Sequence, residues 1–298
     1  MKAIALTFCI LFTTISINAQ SISSWNVNGN SILPTYFLGT TNSQDLNFKR
    51  NNIVSGSIQS NNTSFGYFAF ESNVNSTGNS SFGVMSLQNL TFGLDNTAMG
   101  TSSLNNITTG LGNSGFGSWS GTGTTTGDYN TFVGYGTGGG ITTGSNNTII
   151  GAQITGLQPN LSGHVILADG NGNIRIHINN QGKVKIGDVS TPGNYKLYVE
   201  QGILTEKVKV ALKNTTEWAD HVFEEDYALM PLSDVEKFIN ENKHLPGISS
   251  AETLVEEGID LGAMQARLLE KIEELTLYII DMKKEMDLLK NIIYNDEK

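Results

Sequence analysis

Charge is what this chain lacks most. Between Ser21 and Asn160 only six residues in 140 are charged: Asp45, Lys49, Arg50, Glu71, Asp95 and Asp128. Acid–base cleavage of a polysaccharide needs paired carboxylates, or a base beside a cation, on one face. Glu71, Asp95 and Asp128 stand at unmatched positions and supply neither. Basic residues are scarce overall, 18 Lys+Arg against 28 Asp+Glu, for a net charge of −10. With no basic patch to neutralise phosphates, nucleic acid and anionic membrane surfaces are excluded as expected partners.

Cysteine occurs once, at Cys9. It lies inside an apolar run, Ala3 to Ile17, that follows Met1-Lys2 and closes at Asn18-Ala19-Gln20. The pattern predicts a secretory signal peptide over residues 1–20, cut after Ala19 or Gln20, and is too short for a membrane span. A lipid-anchor cysteine would follow the run rather than sit within it. The mature chain then has no cysteine, which removes disulfides, thiolate metal sites and a Cys nucleophile. No later stretch approaches about 18 consecutive apolar residues, so export without a direct membrane span is expected.

What the chain has instead is a repeat. Asn-(Thr/Ser)-x-(large apolar)-Gly begins at Asn62, Asn79, Asn96, Asn113, Asn130 and Asn147, at a constant step of 17 residues. The apolar member is Phe65, Phe82, Met99, Phe116, Val133 and Ile150; the glycine is Gly66, Gly83, Gly100, Gly117, Gly134 and Gly151. Thr-Thr-Gly corners at Thr108, Thr125 and Thr142 keep the same step. Asn, Gly, Ser and Thr are poor helix-interior residues, so each repeat reads as a coil of short strands and corners. Six stacked coils at ~4.8 Å each make roughly 29 Å of rod. The apolar residues are expected to point inward, the asparagines to form a side-chain amide ladder, and the glycines to supply positive φ or close approach. So few large side chains per coil, with little in the fourth beyond Phe116 and Trp119, imply that chains share their apolar faces.

These steps resemble the head repeats of trimeric autotransporter adhesins. They resemble still more closely exported Gram-negative tail-fibre-domain or adhesin-like proteins. Trp25 to Lys49 is similar to the N-terminal cap of that group, Ala168–Arg175 and Lys196–Val199 to its stem, and Trp218 to Tyr278 to its C-terminal module. The resemblance implies a homotrimer with an unidentified surface ligand, a glycan or a protein.

Val165, Leu167, Ile174, Ile176, Ile178, Val184 and Ile186 alternate at strand period between the turns Asp169–Gly172 and Asn180–Gly182, with Val208 and Val210 continuing the pattern. Past Thr215 the chain turns helical, with box signals at Ser233 and Ser249, and with Gly258 and Asp260 ending and starting helices. The last helix carries Leu268, Ile272, Leu275, Ile279, Met282, Met286, Leu289 and Ile293, spaced alternately by four and three, the seam of a coiled coil roughly 40 Å long. Ile at a with Leu at d favours two strands in parallel coils, a preference the two Met weaken. The resemblance implies three.

The fold class expected is mainly β: a signal peptide (1–20), an N-terminal β cap (21–60), a β-solenoid or β-roll head of 17-residue coils (61–155), a β stem (156–212), a small α+β module (213–260) and a coiled-coil helix (261–298). The function expected is that of a non-enzymatic secreted or cell-surface fibre of adhesin or tail-fibre type, with no cofactor. Two alternatives stand beside it. Ser233 and Lys237 could form the Ser/Lys pair of a self-cleaving C-terminal chaperone, or the solenoid could bind ice or carbohydrate, although the Thr pair recurs in only three coils and the following Gly makes it a corner rather than a flat Thr face. The histidines, His164, His177, His221 and His244, are scattered in sequence with no second ligand at metal spacing. Asp169-Gly170-Asn171-Gly172-Asn173 lacks the downstream bidentate Glu of a calcium loop and reads as a turn.

Overall fold

The computed structural model describes residues 38–72, 75–210 and 220–296. The signal peptide, most of the cap from Trp25 and the tail residue Trp218 lie outside the described residues. The chain forms two compact units, divided after Gly202.

The first unit is a β-solenoid built on one sheet of 12 strands in chain order. An entry hairpin, β1 (Leu46–Arg50) and β2 (Ile53–Ile58), leads into six three-residue strands: β3 (Thr63–Phe65), β4 (Ser80–Phe82), β5 (Thr97–Met99), β6 (Ser114–Phe116), β7 (Thr131–Val133) and β8 (Thr148–Ile150). These pair in parallel and in register, so Phe65 lies beside Phe82, Met99 beside Phe116 and Val133 beside Ile150. The exit is β9 (Val165–Ala168), β10 (Ile174–Ile178), β11 (Val184–Ile186) and β12 (Leu197–Val199). β9 to β11 pair antiparallel, and in β9 it is Ile166, not the expected Val165 and Leu167, that points into the core; those two are half-buried. Val208 and Val210 form no strand; Ile203 to Val210 holds neither helix nor strand.

A three-residue strand offers few ladder bonds, so each coil bonds to the next on its other sides too. Leu87 N–H donates to Ser103 O at 3.1 Å and Leu104 N–H to Ser120 O at 2.9 Å. Around the next corner, Thr108 N–H donates to Thr125 O at 2.8 Å and Thr125 N–H to Thr142 O at 2.9 Å. The Thr108 and Thr125 hydroxyls donate to those same carbonyls, both at 3.1 Å. The backbone polar groups that a loop-rich coil would leave open are thereby satisfied between rungs.

The direction of the repeat's apolar residue differs from the sequence expectation. Phe65, Phe82, Met99, Phe116 and Ile150 face outward, between 36% and 46% exposed, and Val133 is half-buried. Two residues after each Asn, it is Ser64, Ser81, Ala98, Gly115, Phe132 and Ile149 that point in. The cause is the strand period of two. Once the Asn side chain is committed to the interior, the third motif residue must be inside and the fourth outside. The core comes instead from the following turns: Leu87, Leu90, Leu104, Ile107, Ile141 and Ile154 are buried and pack with Phe132 and Ile149. The coil from Asn113 to Tyr129 contributes no large side chain to it; its Trp119 is also exposed. Phe132 of the next coil fills the gap, with its ring between Gly121 and Gly138, where an added Cβ would lie 2.5 and 2.4 Å from ring atoms.

The second unit holds a 3₁₀ turn, Asp220–Phe223, and three helices: α1 (Leu232–Asn242), α2 (Ala251–Glu257) and α3 (Leu261–Asp296). Ser233 does not cap α1. The cap position is Pro231, which has no side-chain oxygen to offer. At α2 the cap is Ser250, one residue after the expected Ser249, and its hydroxyl accepts from Thr253 N–H. Gly258 ends α2 at φ 79°, and Asp260 begins α3 by accepting from Ala263 N–H at 3.0 Å, both as expected. Val222 is buried in the 3₁₀ turn, which packs on α3. Tyr227 donates to Glu274 at 2.5 Å, and Lys271 bridges Glu270 and Glu274 at 3.2 and 2.8 Å. Burial and then this hydrogen bond hold the Tyr227 hydroxyl well above the usual phenol range.

Candidate functional site

The interior line of asparagines is fully bonded. Each Oδ1 from Asn62 to Asn130 accepts the backbone N–H of the next rung's Asn at 2.9–3.1 Å and its side-chain amide at 2.9–3.3 Å. The amide of each Asn also donates to a carbonyl 14 residues on, at 2.6–3.1 Å. None of the six is more than 7% exposed. Asp could accept but not donate, and Gln would carry the amide one methylene too far, so the position requires Asn.

The glycine line explains the other invariant of the repeat. Gly66, Gly83, Gly100, Gly117, Gly134 and Gly151 sit at φ between 125° and 145°. A Cβ on any of them would lie 1.8–2.6 Å from the carbonyl oxygen of the next rung. Both reasons for glycine apply together: positive φ and close backbone approach.

The ladder ends at His164, which occupies the rung 17 residues after Asn147 and donates its backbone N–H to Asn147 Oδ1 at 3.0 Å. Its ring lies along that of His177 on β10, with centroids 5.0 Å apart and Nδ1 of His164 2.8 Å from Nε2 of His177. The structure thus brings together two histidines that sequence spacing leaves apart. The 17-residue step places His164, and the β9–β10 hairpin brings His177 to it. Burial holds both imidazoles below the ordinary value; for His177 the charges of His164 and Lys185 act in the same direction. Among the described residues no group of three or more His, Cys, Asp or Glu could hold a metal. Asp169 accepts from Asn173, Arg175 and Asn171, which keeps its carboxyl well below the usual range and makes the expected turn. Ser233 and Lys237 lie exposed on α1, one turn apart.

Two apolar lines remain open to solvent. On the solenoid it is the outward row from Phe65 to Ile150, in which the Phe48, Phe65 and Phe82 rings follow one another at 5.6 Å. On α3 it is the whole predicted seam, Leu268 to Ile293, whose eight residues are 49–61% exposed. Among the described residues no helix is long and apolar enough to cross a membrane.

Ladder, glycine line and register define a β-solenoid repeat protein. The chain matches no protein-family model, no curated protein and no solved structure.

Proposed function

We propose that the protein is a secreted or cell-surface, non-enzymatic fibre of adhesin or tail-fibre type. Three chains are held in register by a coiled coil of α3. The solenoid is the stiff part, presented to a surface ligand that is a glycan or a protein.

The observation that carries this reading is the α3 seam. A 36-residue helix is about 54 Å long. Eight apolar side chains half open to water along it are a large exposed liability for a single chain. Between like helices they become the core of a coiled coil, with charged residues outside, including the Lys283–Asp287 and Lys284–Asp281 pairs. Joining chains there makes every further contact between solenoids effectively intramolecular. The ladder-locked coils then need no charged chemistry of their own to serve as a spacer and display surface.

The test is the native mass of the full mature chain by light scattering. Three chains per particle are expected, with a lower mass when Leu275 and Ile279 are both changed to Glu. A monomer at micromolar concentration overturns the reading.

A further inference from the structure

We infer that the outward stripe of the solenoid is a second self-association surface, on which copies of this chain meet stripe to stripe. The proposed function needs only α3; this inference gives the solenoid its own interface, on different residues and in the other unit.

The first ground is continuity. The pairing registers carry one outward position without a break from Phe48 on β1 through Gly56 to Phe65, and then rung by rung to Ile150 on β8. Beyond it Leu167, Ile176, Ile186 and Val199 extend the line over β9 to β12. Gly56 is the single rung with no side chain, and an added Cβ there would lie 2.9 Å from the Phe65 ring. The aromatic rings close over that gap.

The second ground is charge. On β3 to β8 the outward positions hold only Thr, Ser and the apolar residue. With only six charged residues between Ser21 and Asn160, the repeat coils carry little charge on any side, and the strand positions of the stripe carry none that a like copy would have to desolvate.

The third ground is size and spacing. Twelve strands at ~4.8 Å make a ribbon of roughly 50 Å. Residues just past the glycine, Val84 and Met85 in one coil and Tyr135 in another, are exposed as well and widen it. Five residues at ~3.3 Å give a width of about 16 Å, so the ribbon covers on the order of 800 Å² per chain, what a standard stable interface takes from each partner. A surface that repeats an apolar knob at every rung is matched by a partner with the same rise, and the chain itself is that partner.

The test is chemical cross-linking of the full chain in a Cys9→Ser background, which otherwise holds no thiol. Phe82→Cys and Phe116→Cys place single thiols on the stripe; Thr109→Cys and Thr126→Cys place them on an exposed corner, in the coil between those two and in that of Phe116. With a short bismaleimide, the two stripe variants are expected to give covalent dimers on a denaturing gel and the corner variants are not. Equal linking at stripe and corner, or none at the stripe in a particle that light scattering shows to be oligomeric, overturns the inference and leaves the α3 reading standing. A second arm joins Phe82→Asp to Phe116→Asp. It is expected to keep the parent's far-ultraviolet dichroism and three-chain mass while abolishing linking at Met99→Cys. Unchanged linking there also overturns the inference.

Discussion

His164 takes the rung that Asn147 leaves open, and His177 lies on it with one nitrogen from each ring 2.8 Å apart. Only one proton fits between those nitrogens. A second turns a hydrogen bond into two facing N–H groups on two cations, with Lys185 adding like charge to His177. Both folded-state values lie below 6.5. The unfolded chain therefore binds protons first, and the stability that the pair contributes is present above pH 6.5 and lost as pH falls below it. The solenoid's melting temperature is expected to fall between about pH 7.5 and about pH 5, and His177→Gln to flatten that slope. A variant that keeps the parent's slope would place the titration elsewhere.

Asn113 illustrates what the ladder contributes. Its Oδ1 accepts two bonds from Asn130, and its amide donates to Asn96 Oδ1 and Gly127 O. Asn113→Ala strands several of these buried groups, each worth about 1–3 kcal/mol when left unpaired, so a loss of roughly 3 kcal/mol is expected in urea unfolding. Thr109→Ala, on the exposed corner of the neighbouring coil, is expected to stay within about 0.5 kcal/mol. Equal effects would mean that water can replace the ladder.

The ladder and the glycine line were legible in the sequence because both depend on the step alone. A residue recurring every 17 positions must stack on itself, whatever else the coil does. The direction of Phe116 was not legible in the same way. The motif contains two candidates for the interior, and bulk favours the phenylalanine over Gly115. The buried amide decides the other way, because alternation from Asn113 leaves Gly115 inside. The His pair depended on hairpin register, which a single sequence specifies weakly. At α1 the capping pattern around Ser233 was present, but Pro231, with its fixed φ, begins the helix two residues earlier.

Gly100 and Gly170 separate the two uses of glycine in this chain. Gly100 sits at φ 137° with the Gly117 carbonyl 2.5 Å from any added Cβ. Gly170 has nothing within 4 Å and no left-handed backbone. Gly100→Ala is expected to force two rungs apart and lower stability by about 2–4 kcal/mol, and Gly170→Ala to change it by less than about 1. Thermal melts of the two variants check this, and a tolerated Gly100→Ala would mean that the rungs can separate without loss.

Phe132 and Phe116 are one rung apart and face opposite ways. Phe132 is 0% exposed and fills the space beside Gly121 and Gly138, so Phe132→Ala opens a cavity that a ladder-locked coil cannot collapse. Its expected loss is about 3–5 kcal/mol, the same at every protein concentration. Phe116 is 39% exposed and touches solvent in the single chain. Phe116→Ala is expected to cost dissociated chains, measured at low concentration, about 1–2 kcal/mol, less than Phe132→Ala, because part of its surface is already in water and its removal encloses no cavity. At high concentration the same variant is expected to lower the transition, since it weakens an association that binds only the folded form. Urea unfolding of both variants across a hundred-fold concentration range distinguishes the two positions. If Phe116→Ala instead matches Phe132→Ala at low concentration, the phenylalanine of the repeat faces inward and the outward stripe does not exist.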